Sequence, residues 1–296
     1  MTQAIHRTRG ALLVALAALL WSSSGLFIKV LSLGAMQIAF ARSLVAALTI
    51  AAVVFLRGGR PFPRPSRLSL LCAIAYAGVL ILFVAATKLT TAANAIFLQF
   101  SAPIYLVFLE PWVTGRAIQR RDLVAVGLCM GAMSLFFLGR LSAGTLSGNV
   151  LGVVSGLCLA IFSLTLKLQR ERSPGTDPIS AIILGNLLVA VICAPMALRG
   201  FHPTLPQASA LLYLGVFQIG IAYLLFNAGM HYLSATAAVV TGTLEAVLNP
   251  VWVFLCIGER PSAWAFVGGV MILLTIAWYS AGPRRKPEDA LVHFPG

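Results

Sequence analysis

The chain has 296 residues, of which 59% are hydrophobic and only 10% charged, and a mean hydropathy of +0.95. An ordinary soluble domain is about 25% charged, so this composition excludes a soluble globular protein of this size and makes lipid the natural solvent. The net charge of +13 would suit nucleic acid, but the Lys and Arg residues sit in short clusters between apolar runs, with no basic face interleaved with aromatics; the expected surroundings are membrane lipid, with no nucleic-acid partner.

The first apolar run follows His6, Arg7 and Arg9. It resembles the front of a signal peptide, but it is long, and it carries Trp21-Ser22-Ser23-Ser24 and Lys29 in place of a clean cleavage site, so it reads as a first span. A crossing helix needs about 20 mostly apolar residues. Spans are expected near 10–30, 35–56, 67–88, 92–114, 120–139, 149–169, 178–198, 208–230, 235–257 and 263–281. The gaps between them are short and rich in breakers, such as Gly58-Gly59-Arg60-Pro61, Ser173-Pro174-Gly175 and Phe201-His202-Pro203.

Polar groups inside spans are costly and often mark a pathway. Trp21, Ser22 and Ser23 are the candidates on the first span. Arg42 lies inside the second, where snorkelling or a structural pair explains it. Tyr76 and Phe83 share a face of the third. On the fourth, Asn94, Ser101 and Tyr105 share a face, Pro103 suggests a kink, and Glu110 near the far end is placed to pair with Arg116. Gly127 and Gly131 on the fifth span, and Gly148, Gly152 and Gly156 on the sixth, are small-xxx-small patterns that predict close helix packing. Tyr223 and Asn227 share a face of the eighth span. On the ninth, Thr241, Glu245, Asn249 and Trp252 recur at helical spacing, and Pro250 suggests a second kink. Glu245 is the one acidic residue near the middle of a span. It can carry a proton, face a substrate ammonium, or play a structural part through Asn249 or Arg42. Lys29 and Lys88 read as snorkelling residues at the membrane surface.

With ten spans, 15 of the 21 basic residues fall on the side of the termini and 5 on the other, with Arg42 inside. By the positive-inside rule both termini are cytoplasmic. The halves also look alike. Trp21 to Lys29 parallels Ala160 to Lys167, and Lys88-Leu89-Thr90-Thr91-Ala92-Ala93 parallels Tyr232-Leu233-Ser234-Ala235-Thr236-Ala237, with Pro103 and Pro250 following. Five spans per half is an odd number, so the second repeat is expected inverted, with a solute site at the repeat interface near the midplane.

The Trp21-Ser-Ser-Ser segment, the two Ala-rich turns, Pro103, Pro250 and the late Gly258-Glu259-Arg260 together resemble the EamA family of the drug/metabolite transporter superfamily, and within it the YddG-type amino acid exporters. The first half departs from the pattern at Glu110-Pro111 and Gly115-Arg116. The resemblance implies an all-α membrane protein of ten transmembrane helices, arranged as two inverted five-helix repeats around a central cavity. The expected units are residues 1–140, residues 141–282 and a cytoplasmic tail at 283–296. Helices 1, 3, 4, 6, 8 and 9 would line the cavity, with helix 2 peripheral. Export of small metabolites across the bacterial inner membrane, aromatic or neutral amino acids first among them, is the implied function. The mixed polar and aromatic stripes suit an amphipathic solute.

Cys72, Cys129, Cys158, Cys193 and Cys256 fall in separate apolar runs without a CxxC, and the four His residues are scattered, which leaves metal and redox sites unsupported. No HExxH, Walker-type loop or GxSxG appears, so neither ATP coupling nor a cofactor is implied and the chain is not read as an enzyme. The competing readings are a multidrug or cationic-solute pump with Glu245 as counter-charge, a membrane-embedded enzyme on lipid intermediates, and a channel. The second lacks paired acids or histidines, and the third lacks a ring of like charge. Both repeats lie in one chain, so a monomer suffices.

Overall fold

The computed structural model describes residues 2–62, 64–90, 92–115, 119–136, 145–172, 178–257 and 263–281. Among them there is no strand. The helices are α1 (Thr2–Trp21), α2 (Ser24–Val30), α3 (Ala35–Leu56), α4 (Arg67–Leu89), α5 (Ala92–Gln99), α6 (Ala102–Thr114), α7 (Arg120–Phe136), α8 (Leu146–Arg172), α9 (Ile179–Ala197) and α10 (Leu205–Tyr213). A π-helical segment, Leu214–Ile221, follows, and then α11 (Ala222–Gly229), α12 (Ala235–Gly242), α13 (Leu244–Ile257) and α14 (Ala263–Ala281).

Several of these join end to end. Counted that way, seven helical stretches among the described residues are long and apolar enough to cross a membrane: His6–Val30, Ala35–Leu56, Arg67–Leu89, Asn94–Thr114, Leu146–Arg172, Ile179–Ala197 and Leu205–Gly229. Ala235–Leu248 and Phe266–Tyr279 are shorter apolar helices. The helices are apolar on both the packed and the outward side, with large exposed residues such as Leu12, Leu48, Phe55, Val191 and Phe266. In water such a surface would aggregate; in a bilayer it is the solvated face.

Local chemistry sets the ends. Ser66 caps α4, its hydroxyl accepting from the Ser69 amide at 3.0 Å. Ser234 caps α12 through the Ala237 amide at 3.1 Å. After α3 the chain turns at Gly58, whose φ of 73° lies in the left-handed region that glycine alone enters without strain. Pro103 occupies the first turn of α6, where its missing N–H costs nothing. The interruption of that rod therefore lies just before Pro103, at Phe100–Ser101. On the ninth segment the interruption falls at Thr243, seven residues ahead of Pro250. Both interruptions lie ahead of the prolines expected to kink these segments.

α4 packs along α8 and α9, α3 along α9 and the π segment, α1 along α11 and α12, α5 along α8, and α7 against α14. The glycines of α8 make its contact with α5 close. A Cβ on Gly156 would meet the Ser101 hydroxyl at 2.6 Å and the Gln99 carbonyl at 2.7 Å. Gly127 and Gly131 are different: a Cβ there meets nothing within 4 Å among the described residues, so the same spacing on α7 is not a packing seam.

Candidate functional site

The breaks converge. Between the packed rods lies a cavity of about 50 Å³. Trp21 and Ser24 reach it from either side of the α1–α2 break. Gln99 and Phe100 reach it from the α5–α6 break, and Gly242 and Glu245 from either side of Thr243. Gln218 comes from the π segment, Arg42 from α3, and Val79, Leu80 and Phe83 from α4. Leu159 of α8, Tyr223 and Phe226 of α11, and Ala238 and Val239 of α12 complete the wall. Interrupted and π-wound helices at membrane depth occur where the backbone lines a cavity or a functional site.

The polar groups on this wall have unused hydrogen-bonding capacity. Trp21 Nε1, Ser24 Oγ, Arg42 Nε and Gln218 Oε1 are buried without a partner. Arg42 is 1% exposed, and its Nη2 donates to the Leu80 carbonyl at 3.1 Å. Glu245 is buried and has no hydrogen-bond or ion-pair partner among the described residues. Buried polar groups in folded proteins are normally satisfied, and four orphans and a carboxylate without a hydrogen bond around one space can receive something polar. At about 50 Å³ it holds a few waters; small-molecule pockets run to roughly 300 Å³ and above. The cavity is contracted.

Rings form one wall. Trp21 stands 4.9 Å from Tyr223 and 5.2 Å from Phe226, centroid to centroid, and Tyr76 stands 4.7 Å from Phe162 and 4.6 Å from Tyr223. On the other side of this cluster, judged along α1, α8 and α11, opens a larger vestibule of about 780 Å³. Arg9, Arg57, Arg60, Arg170, Asn227 and His231 line it. Arg170 Nη2 donates to the Asn227 carbonyl at 3.0 Å and to its Oδ1 at 2.7 Å. Partial burial, then the nearby Arg170, Lys167 and His6, hold the His231 imidazole below its usual pKa, so it is neutral at pH 7.

Of the residues singled out from sequence, Trp21, Phe83, Tyr223 and Glu245 line the central cavity. Tyr76 stands behind the wall with its hydroxyl near Asn186. Ser22 and Ser23 do not line it: their hydroxyls donate to the Leu19 and Leu20 carbonyls, and Trp252 Nε1 donates to Ser22 Oγ at 2.7 Å. Asn94 donates to Thr90 and Asn149 at the end of α4. Ser101 and Thr241 donate back to the Leu98 and Ala237 carbonyls. Tyr105 is half-buried away from the cavity, and Asn227 belongs to the vestibule. The side chain of Asn249 lies outside the described residues.

Three expectations change, and a fourth, the Glu110–Arg116 pair, falls on a residue outside the described ones. Arg42 is not peripheral, because its long side chain reaches from α3 to the cavity. Among the described residues it forms no ion pair with Glu245. Glu110 is engaged at the start of α12, accepting from the Ala235 and Thr236 amides at 3.2 and 2.9 Å and from the Thr236 hydroxyl at 2.5 Å; Arg116 lies outside the described residues. Lys29 and Lys88 are not merely snorkelling: each donates at 2.7 Å to a carbonyl at a helix end, Thr90 and Leu31 respectively. Sequence reading also missed Ser24, Gln99 and Gln218. Two glutamines within apolar runs were an available signal.

The family model of EamA-like transporters matches residues 8–138 and again 146–281. The chain belongs to the EamA-like transporter family. An uncharacterised transporter of Archaeoglobus fulgidus is 29% identical over 88% of this chain and 94% of its own length. A second from the same organism is 27% identical over 66% of this chain and 70% of its own. A solved crystal structure superposes with a TM-score of 0.74 at 17% identity, covering 93% of this chain and 97% of that one, which is a likeness of fold. The protein is thus a multi-pass membrane transporter of the EamA family, and the family and its relatives point to transport rather than catalysis.

Proposed function

We propose that this EamA protein is a secondary transporter that exports small metabolites, amino acids foremost, from the bacterial cytoplasm by alternating access. In this reading ten spans form two inverted repeats, residues 1–140 and 141–282, that rock about the central cavity. One observation carries it: a contracted cavity walled by both halves, in which unpartnered polar groups meet at the helix breaks.

The pairing of helices supports the repeat. α4 on α8 has its counterpart in α1 on α11, and α5 on α8 in α1 on α12. Lys29 donates to the carbonyl of Thr90 just past α4; Lys167 donates to that of Met230 just past α11, at 3.2 Å. The gaps also sort by side. On one side Lys29 reaches the Thr90 carbonyl, Lys88 that of Leu31, Gln37 that of Arg199, and Gln207 the Ser32 hydroxyl. The N-terminal arginines, the α3–α4 connection and the ends of α8 and α11 meet at the basic vestibule. Arg7 and Arg121 join that side through the carbonyls of Tyr279 and Trp278. This alternation supports an even number of crossings with a cytoplasmic vestibule and cytoplasmic termini.

The test is exchange of a labelled amino-acid panel by purified protein in proteoliposomes, with and without a pH gradient. The expected result is saturable, competable flux of neutral or aromatic amino acids. Absence of flux in demonstrably active vesicles overturns the substrate and turns attention to cationic solutes. If Glu245 carries the coupling proton, Glu245→Gln keeps exchange and loses its response to the gradient; full response in that variant removes the proton-carrier role.

A further inference from the structure

We infer that the central cavity reads both ends of a zwitterion, with Arg42 as the carboxylate anchor and Glu245 as the ammonium anchor. The inference rests on reading this cavity as the solute site, and it narrows the solute to small molecules bearing both charges beside an apolar group.

A guanidinium carries five N–H donors in a planar fork that matches a carboxylate. Burying one costs several kcal/mol unless it is paired and hydrogen-bonded. Arg42 is 1% exposed, gives one bond to the Leu80 carbonyl, and its Nε faces no acceptor. Glu245, on the same wall, feels the charge of Arg42 but makes no hydrogen bond or close ion pair with a described residue. Were their purpose to neutralise each other, the two would close on one another, since a buried pair is favourable only with good geometry. They do not. Both charges are held open on a cavity that is too small for a solute in this state and that must widen to admit one. Ser24 and Gln218 add an unpartnered hydroxyl and an unpartnered amide oxygen between them, and Phe83 and its aromatic neighbours offer the apolar surface. A cation alone would leave Arg42 buried beside like charge; an anion alone would do the same to Glu245. A zwitterion satisfies both.

The experiment is competition against labelled L-phenylalanine exchange in proteoliposomes. The competitors are L-phenylalanine, L-phenylalaninamide (no carboxylate) and 3-phenylpropionate (no ammonium). Wild-type protein is expected to bind each truncated analogue at least about tenfold more weakly than the amino acid, because sites that hydrogen-bond a group reject its absence. Arg42→Met should abolish the preference for phenylalanine over the amide while keeping that over phenylpropionate. Glu245→Gln, nearly isosteric, should do the reverse. Arg42→Lys should restore part of the carboxylate preference, since an ammonium supplies charge without the fork. Size-exclusion profiles report folding; should Arg42→Met fail there, the analogue series on wild type and on Glu245→Gln still decides. If wild type exchanges phenylalanine but the amide competes equally, this inference falls and the transporter reading stands. If none of the three compounds is bound, the amino-acid reading falls with it.

Discussion

Glu110 and Glu245 are both buried carboxylates, and their surroundings separate their roles. Glu110 receives two amides and a hydroxyl at the positive end of α12, an arrangement that favours a negative group. Glu245 receives nothing from the described protein. Glu110→Gln should therefore act on stability: replacing a charged acceptor of three donors costs about 1–3 kcal/mol, seen as a lower melting temperature in detergent with the substrate preference unchanged. A change in preference without loss of stability would contradict the assignment. Sequence reading set Glu110 at a span end facing Arg116 and Glu245 at mid-span, but only the fold brings the start of α12 to Glu110. The serines give the same lesson. Trp21-Ser22-Ser23-Ser24 marked the site, yet Ser22 and Ser23 bond their own helix while Ser24, where the helix restarts, turns to the cavity with its hydroxyl unpartnered.

Element boundaries were far more legible than element interruptions. A helix apolar for about 20 residues announces itself by composition alone, and seven of the ten segments so read hold described helical stretches long and apolar enough to cross a membrane. The breaks at Ser22–Ser23, Phe100–Ser101 and Thr243, and the π turn at Leu214–Ile221, follow from tertiary packing, so local propensity does not disclose them. The glycines show how packing decides. Gly215 brings the π segment onto α3, where a Cβ would stand 2.9 Å from the Arg42 carbonyl, and Gly156 seats α8 on the α5–α6 break. A Cβ added at Gly131 would meet nothing within 4 Å among the described residues. Gly156→Leu should thus destabilise by about 1–3 kcal/mol or more through overpacking and lower exchange. Gly131→Leu, in an identical sequence pattern, should stay within about 0.5 kcal/mol of wild type. Thermal unfolding of the two variants side by side checks this, and equal effects would contradict the packing described.

At the scale of the molecule, the two matched family units enclose one cavity, and the basic vestibule stands beyond an aromatic wall. Trp21, Tyr223 and Phe226 line the cavity on that side, and in the proposed pathway solute displaces these rings to pass. In the proposed repeat the symmetry is imperfect where function would need it to be. α1–α2 is broken while its counterpart α8 runs unbroken for 27 residues, and α4 is regular while its counterpart holds the π turn. Those departures put Ser24 and Gln218 into the cavity and give the site a polarity that two identical halves could not.

In the proposed mechanism one cavity faces each side of the membrane in turn. Single cysteines at Ser24 and Gln218, in protein whose five native cysteines are replaced, can be reacted with a membrane-impermeant thiol reagent from either face of oriented vesicles. Alternating access predicts labelling from both faces, slowed from both by a bound solute. Labelling from one face only, with or without solute, would contradict it.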